Sequence, residues 1–426
     1  MSRIDLIIQQ LWGETDSVGL SGFNQLTSRT RTMKQSILIL TLFIFTACGG
    51  ANGDLQVTLP PGEYDLQNTL VSAEVENSSF EENTVLCADS GNDVVPAQVE
   101  KLSDNLHRIW WTASKPAADR VTYTFRTDGS CYDRVFACES AGDQSSLLRL
   151  GDQPVMQYEH PVFDPDDIEH TKKPFHHLFD PAGDQLITKG PGGLYSHHRG
   201  IFFGYNHVYI NDTRIDIWHA NEGERSEHEE VLNVIEGPVM GGHVVKIYWK
   251  DHDGNEFLEE RRDIRTFRQS DDVTIVDFTS TLSAVDGPVR LDGDRQHAGV
   301  QFRASQYVAD NAEQTRFVRP ANLSHVDSRE EIEGEDMMDL PWNAMAFQVE
   351  GRPYTVAYLS HPDNPADAEM SERLYGRFGE FFRYEVTPGN PLQVHYRFVV
   401  KSGSLTGGEI EQQYRLYADS PVIGLQ

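Results

Sequence analysis

The sequence predicts an all-β protein, and three observations carry that prediction. Between about Thr58 and Ala141 lie short runs rich in β-branched and aromatic residues, among them T-L-V-S-A-E-V, D-V-V-P-A-Q-V, H-R-I-W-W-T-A and R-V-T-Y-T-F-R-T. Asn/Asp/Gly/Ser turns separate them, the pattern of short antiparallel strands. Further along the runs lengthen and alternate, as in F-L-E-E-R-R-D-I-R-T-F and V-T-I-V-D-F-T-S-T-L, which follow the Asp253-Gly254 hairpin signal. Helical patterning is confined to two short stretches, Ser226 to Val234 and Glu409 to Leu416.

Taken in order, the first 32 residues read as neither a domain nor a targeting signal, so initiation is expected at Met33. Residues 33–47 combine a Lys, an apolar run too short to remain in a bilayer and small residues before Cys48. That is a signal peptide. Its F-T-A-C ending resembles the lipobox of bacterial lipoproteins, which makes Cys48 the expected lipidation site and residues 48–57 a tether. Gly49 and Gly50 lack the aspartate associated with inner-membrane retention, so an exported lipoprotein is expected, periplasmic or at the cell surface, with outer-membrane anchoring favoured. No other segment is apolar and long enough to span a bilayer, so membrane contact is expected through the lipid alone.

Residues 58–145 are expected to form a small immunoglobulin-like β-sandwich with Trp110, Trp111 and Tyr123 in its core. Cys87, Cys131 and Cys138 remain after lipidation; an oxidising compartment allows a disulfide, and the sequence leaves its pairing open. Residues 146–426 form the larger all-β domain. It opens with the turn Gly151 to Pro154 and continues through V-M-Q-Y-E-H, V-Y-I, R-I-D-I-W-H, V-V-K-I-Y-W, Y-T-V-A-Y-L, F-F-R-Y-E-V and L-Q-V-H-Y-R-F-V-V.

The net charge of −30 argues against nucleic-acid binding, which needs a basic face to neutralise phosphates. An anionic substrate would need a local patch, and Lys189, Arg199 and Arg303 are the residues that could build one.

The stretch G-P-G-G-L-Y-S-H-H-R-G-I-F-F-G-Y from Gly190 brings two imidazoles and a guanidinium out of a turn cluster directly into an apolar strand. If extended from Ser196, it points His197 and Arg199 to one face and His198 to the other. In H-A-G-V-Q-F-R-A, His297, Gly299, Gln301 and Arg303 form a polar row with a small gap at Gly299, while Ala298, Val300 and Phe302 pack behind. R-I-D-I-W-H adds Asp216 and Trp218 on one face, an acid to grip hydroxyls and a ring to stack on a sugar. His361 and Asn364 in S-H-P-D-N-P, with Arg373 and Tyr375 in R-L-Y-G-R-F-G, could line a pocket mouth.

These motifs, with G-D-Q-P-V-M-Q-Y and H-L-F-D-P-A-G, fall in the order seen in the bacterial PmoA-like family, which the chain resembles from about Leu147 to Asp419. The resemblance implies an exported protein encoded near sugar-handling genes, with an antiparallel β-supersandwich like that of galactose mutarotase. The expected function is therefore a lyase, hydrolase or epimerase step on a carbohydrate, with a uronic acid or a keto-sugar among the candidate substrates. His198 or His297 would act as acid or base, and Arg199 and Arg303 as charge clamps. His197, Asp216, Trp218, Gln301, His361, Asn364, Arg373 and Tyr375 would hold the substrate. No cofactor is expected: His197, His198, His219 and His297 could bind a metal, but no H-x-H or H-E-x-x-H spacing favours it. The alternative function is a non-catalytic glycan-binding lipoprotein.

Overall fold

A computed structural model describes residues 55–76, 80–127 and 130–419. The expected signal peptide and the expected lipidation site Cys48 lie outside the described residues. Within them the chain is dominated by antiparallel strands, as the alternating runs predict.

The N-terminal part is one six-stranded sheet in the spatial order Leu55–Leu59, Val121–Arg126, Val85–Asp89, Val94–Ser103, Leu106–Lys115, Leu66–Glu76. Strand alternation divides the two tryptophans: Trp111 packs with Val57, Val99, Tyr123 and Phe125 in the sheet's own core. Trp110 points the other way, into a second core with Met240, Val244 and Ile275 of the larger part. Gln98 ties the same junction, its side-chain oxygen accepting from the Val239 and Met240 amides (3.3 and 3.1 Å). A disulfide joins Cys87 to Cys131 and leaves Cys138 free, which settles the pairing that spacing left open.

The larger part has two eight-stranded sheets and one of four strands. One large sheet runs Glu369–Arg373, Arg377–Phe381, Ala298–Arg303, Ile201–Tyr205, Phe175–Leu178, Gln153–Glu159, Ser145–Leu150, Phe136–Ser140. The other includes the long strands Met240–Lys250, Glu256–Ser270, Val273–Ala284 and Leu392–Ser402. Phe203, Val300 and Phe302 of the first share a continuous core with Val245, Val276 and Phe398 of the second, which makes the two sheets a sandwich.

Three expectations change. Leu55–Leu59 is a strand, so the sheet takes in the end of the expected tether. Phe136–Ser140 hydrogen-bonds into the larger part's sheet, so the changeover falls before residue 145. Arg225–Ile235 is an edge strand, because it pairs antiparallel with Met240–Lys250, with bulges at Glu229 and Leu232. The helix Gly407–Ala418 does form, with a capping box between Thr406 and Glu409 at its start.

Glu380 is buried on the core side of Arg377–Phe381, where Ser360 Oγ donates to it at 2.7 Å. Burial pushes its carboxyl up from 4.5 to about 7, against the smaller opposing pull of Ser360. The folded state therefore holds a proton that the unfolded chain has already released, and stability falls as pH rises from about 4.5 through about 7. At about 1.4 kcal/mol per unit this amounts to roughly 3 kcal/mol by pH 8. Glu380→Gln should melt higher than wild type at pH 8 and lose that advantage at pH 4.5; equal melting temperatures at pH 8 would refute this assignment.

Candidate functional site

Between Gly190 and Gly200 the chain must turn sharply, and its glycines allow it: Gly192 and Gly193 have φ of +93° and +64°. Tyr195 is forced into the same left-handed region at +53°, a strained position for a tyrosine. Its ring is 47% exposed, 4.9 Å from the ring of Tyr375 and 6.1 Å from that of His197. The His198 amide donates to the Tyr195 carbonyl (2.9 Å), so the chain is still turning at the histidine pair, and the strand begins only at Ile201. The alternation expected from Ser196 onward is therefore replaced by a corner.

Buried cations hold that corner by its carbonyl groups. Lys189 Nζ donates to the carbonyls of Gly192, Leu194 (3.0 Å) and Tyr195 (3.4 Å). Arg303, fully buried, donates to Tyr375 O, Ala304 O (3.3 Å) and Leu194 O (3.4 Å). Arg199, also fully buried, donates to the Glu169 carbonyl and lies 3.6 Å from its carboxylate. Each of the three donates to backbone carbonyls of its own protein, while Arg199 Nε and Nη1 and Arg303 Nε are buried without a hydrogen-bond partner. Burial pulls Lys189 down to about 8, with Arg303 and Arg199 adding to the effect.

Two Asp-x-x-His turns face the corner. In Asp216-Ile-Trp-His219 the carboxylate accepts from the His219 amide (2.8 Å) and meets His219 Nδ1 at 2.9 Å. In Asp294-Arg-Gln-His297 it accepts from the Gln296 amide (2.8 Å) and meets His297 Nδ1 at 2.9 Å. Burial tends to raise both carboxyls, but the hydrogen bonds gathered on each, led by the one from its histidine, hold them below the usual range. Asn206 braces both turns: its amide donates to Asp294 (2.7 Å), and its carbonyl accepts from Arg214, whose guanidinium is 3.4 Å from Asp216.

With each Nδ1 taken, these rings can turn their other nitrogen toward His197, whose Nε2 has no hydrogen-bond partner among protein atoms. One ring nitrogen each from His197, His219 and His297 lie within 4.8 Å of one another, and all three residues are half-buried. Among the described residues this is the one group of three side chains placed to hold a metal ion. Burial, then Lys173 and His219, lower His197 to about 2, so its ring is neutral at pH 7.

The other predicted site residues are placed around or away from this triad. His198 is buried between Trp218 (5.5 Å) and Tyr375 (6.1 Å, nearly parallel) and is held neutral by burial, Arg377 and His197. Trp218 is fully buried with Phe175 and Phe202; its segment is a turn, so it does not share an open face with Asp216. Gln301 is buried and accepts from Arg377 (2.9 Å). Arg373 pairs with Glu333 (2.7 Å). His361 and Asn364 belong to the other sheet's end, where Asn364 donates to Ser360 Oγ (3.0 Å) and the His395 carbonyl (2.8 Å) and His361 Nδ1 accepts from the Asp363 amide (3.2 Å). Their loop holds itself together.

The family model described as "Family of unknown function (DUF6807)" matches residues 145–415, a span that contains the whole triad. The chain belongs to that family. No curated protein matches it. The N-terminal sheet lies outside the DUF6807 match.

Sequence reasoning missed Lys173, Asn206 and Tyr195 as site residues. The repeated Asp-x-x-His spacing is a usable signal for two of the histidines, yet it recurs at Asp167 to His170 on the exposed surface. Gly299, read as a gap for ligand, instead admits the neighbouring strand: at φ +84°, a Cβ there would lie 1.9 Å from the Glu380 carbonyl oxygen. Gly299→Ala should therefore cost about 3 kcal/mol or more in denaturant unfolding. A cost within about 0.5 kcal/mol, the range of ordinary surface changes, would contradict this packing.

Proposed function

We propose that this DUF6807 protein is an exported carbohydrate-active enzyme whose reacting centre is the imidazole triad. The observation that carries the reading is the convergence of three half-buried imidazoles, two of them braced at Nδ1 by carboxylates. A carboxylate on Nδ1 fixes the tautomer and stabilises the imidazolium that forms when the other nitrogen takes a proton. His297, with Asp294 behind it, is assigned as the proton acceptor, and Tyr195 supplies an exposed ring on which a sugar can stack. Asp216 and Asp294 are both committed to histidines, which disfavours a two-carboxylate glycosidase and favours elimination or epimerisation. The sugar class rests on the resemblance to PmoA-like proteins. Trp218 is buried, so in either reading stacking on a sugar falls to Tyr195. The disulfide Cys87–Cys131 and the lipobox-like sequence before Cys48 support export and anchoring.

Full-length protein incubated with neutral, uronic-acid and 3-keto glycans should convert one pool, read by ultraviolet absorbance for new double bonds and by chromatography. His297→Ala should reduce turnover about 100-fold or more, and Tyr195→Ala should act mainly on KM. Saturable glycan binding without product in any pool would replace the enzyme with a binding protein.

A further inference from the structure

The triad has a second property that proton transfer alone does not require. One nitrogen from each of three imidazoles lies within 4.8 Å of the other two, with ring separations of 4.6 Å (His197–His219), 4.9 Å (His219–His297) and 6.3 Å (His197–His297). His197 Nε2 is buried without a hydrogen-bond partner, which costs free energy unless something takes up its lone pair. We infer that His197, His219 and His297 bind one divalent transition-metal ion of the zinc class, leaving a fourth position open.

The donor set suits that ion. All-imidazole ligation without thiolate is typical of zinc, copper, iron or nickel, and three protein ligands with an open position characterise catalytic zinc. Tetrahedral ligands at about 2.0–2.1 Å from zinc lie roughly 3.4 Å apart, so a small rotation of each ring closes the present spacing. The second layer is already built: histidine ligands commonly donate their other N–H to a carboxylate, as His219 does to Asp216 and His297 to Asp294. Two such carboxylates balance a divalent charge held by three neutral rings. The buried Lys173 ammonium does not compete for the ring nitrogens, because it donates to the carbonyls of Trp218 and His197 (the latter at 3.5 Å). His198 is excluded, sealed among Phe202, Trp218 and Tyr375. A bound ion would lower the pKa of a water in its open position toward 7 and so take over the proton-accepting role given to His297.

This inference uses the same residues as the proposed enzyme but rests on their geometry, not on the identity of the substrate. The test is titration of untagged, chelator-stripped, full-length protein with cobalt(II), followed by displacement with zinc. One equivalent should bind, with the visible absorption of tetrahedral cobalt. Asp216→Asn and Asp294→Asn should weaken binding about tenfold to a hundredfold. His219→Ala and His297→Ala should abolish it, while His228→Ala, in a separate cluster beside Tyr158, should bind as wild type. Because ligand variants can misfold, wild type is also treated with diethyl pyrocarbonate, where zinc should shield all three triad histidines from modification. Substoichiometric binding to wild type, wild-type binding by the variant combining His197→Ala, His219→Ala and His297→Ala, or modification unchanged by zinc would each overturn the inference. Stoichiometric metal without glycan turnover would sink the carbohydrate reading and leave this one standing.

Discussion

The Lys173 ammonium, buried from solvent, donates to the carbonyls of Trp218 and His197 and so joins two segments that each carry a triad histidine. Removing such a group from water is costly, and only good acceptors repay it. Burial, reinforced by Arg199 and Lys172, pushes its pKa far down, yet an amine donates to carbonyls in either protonation state. The corner can keep its irregular path because leaving it would strand this donor. Lys189 and Arg303 apply the same constraint to the carbonyls of residues 192 to 195.

This arrangement reverses the usual expectation for basic residues near a candidate site. Lys189, Arg199 and Arg303 invite assignment as clamps for an anionic ligand, and in the fold they serve the backbone. A loop without regular secondary structure has carbonyls that no strand or helix partner satisfies. Lys189 from the preceding loop and Arg303 from the adjoining strand satisfy them. Half-buried imidazoles are what remains to face outward, together with the exposed ring of Tyr195.

The sheet beneath makes this possible. Ile201–Tyr205 and Ala298–Arg303 pair antiparallel, with Phe202 opposite Gln301 and Gly204 opposite Gly299. Most of their apolar side chains enter the sandwich core, and the segments leading into the two strands carry His197 and His297. Asn206, one residue past the first strand, receives the Asp294 turn and the Arg214 guanidinium, so both Asp-x-x-His turns are referred to one rigid strand end.

The all-β class, the long alternating strands and the core face of Ala298, Val300 and Phe302 were legible in the sequence alone. Those features are local: alternation, turn chemistry and composition are written within a few residues of where they act. Three things were decided only by tertiary structure: that Arg225–Ile235 is a strand, that Cys87 bonds Cys131, and that His219 joins the triad while His198 and Trp218 are buried behind it. Each depends on residues far apart in the chain meeting across turns and sheets. A two-residue alternation predicts which way a side chain points only where the backbone is extended, and at Tyr195 to His198 and Asp216 to His219 the chain turns instead.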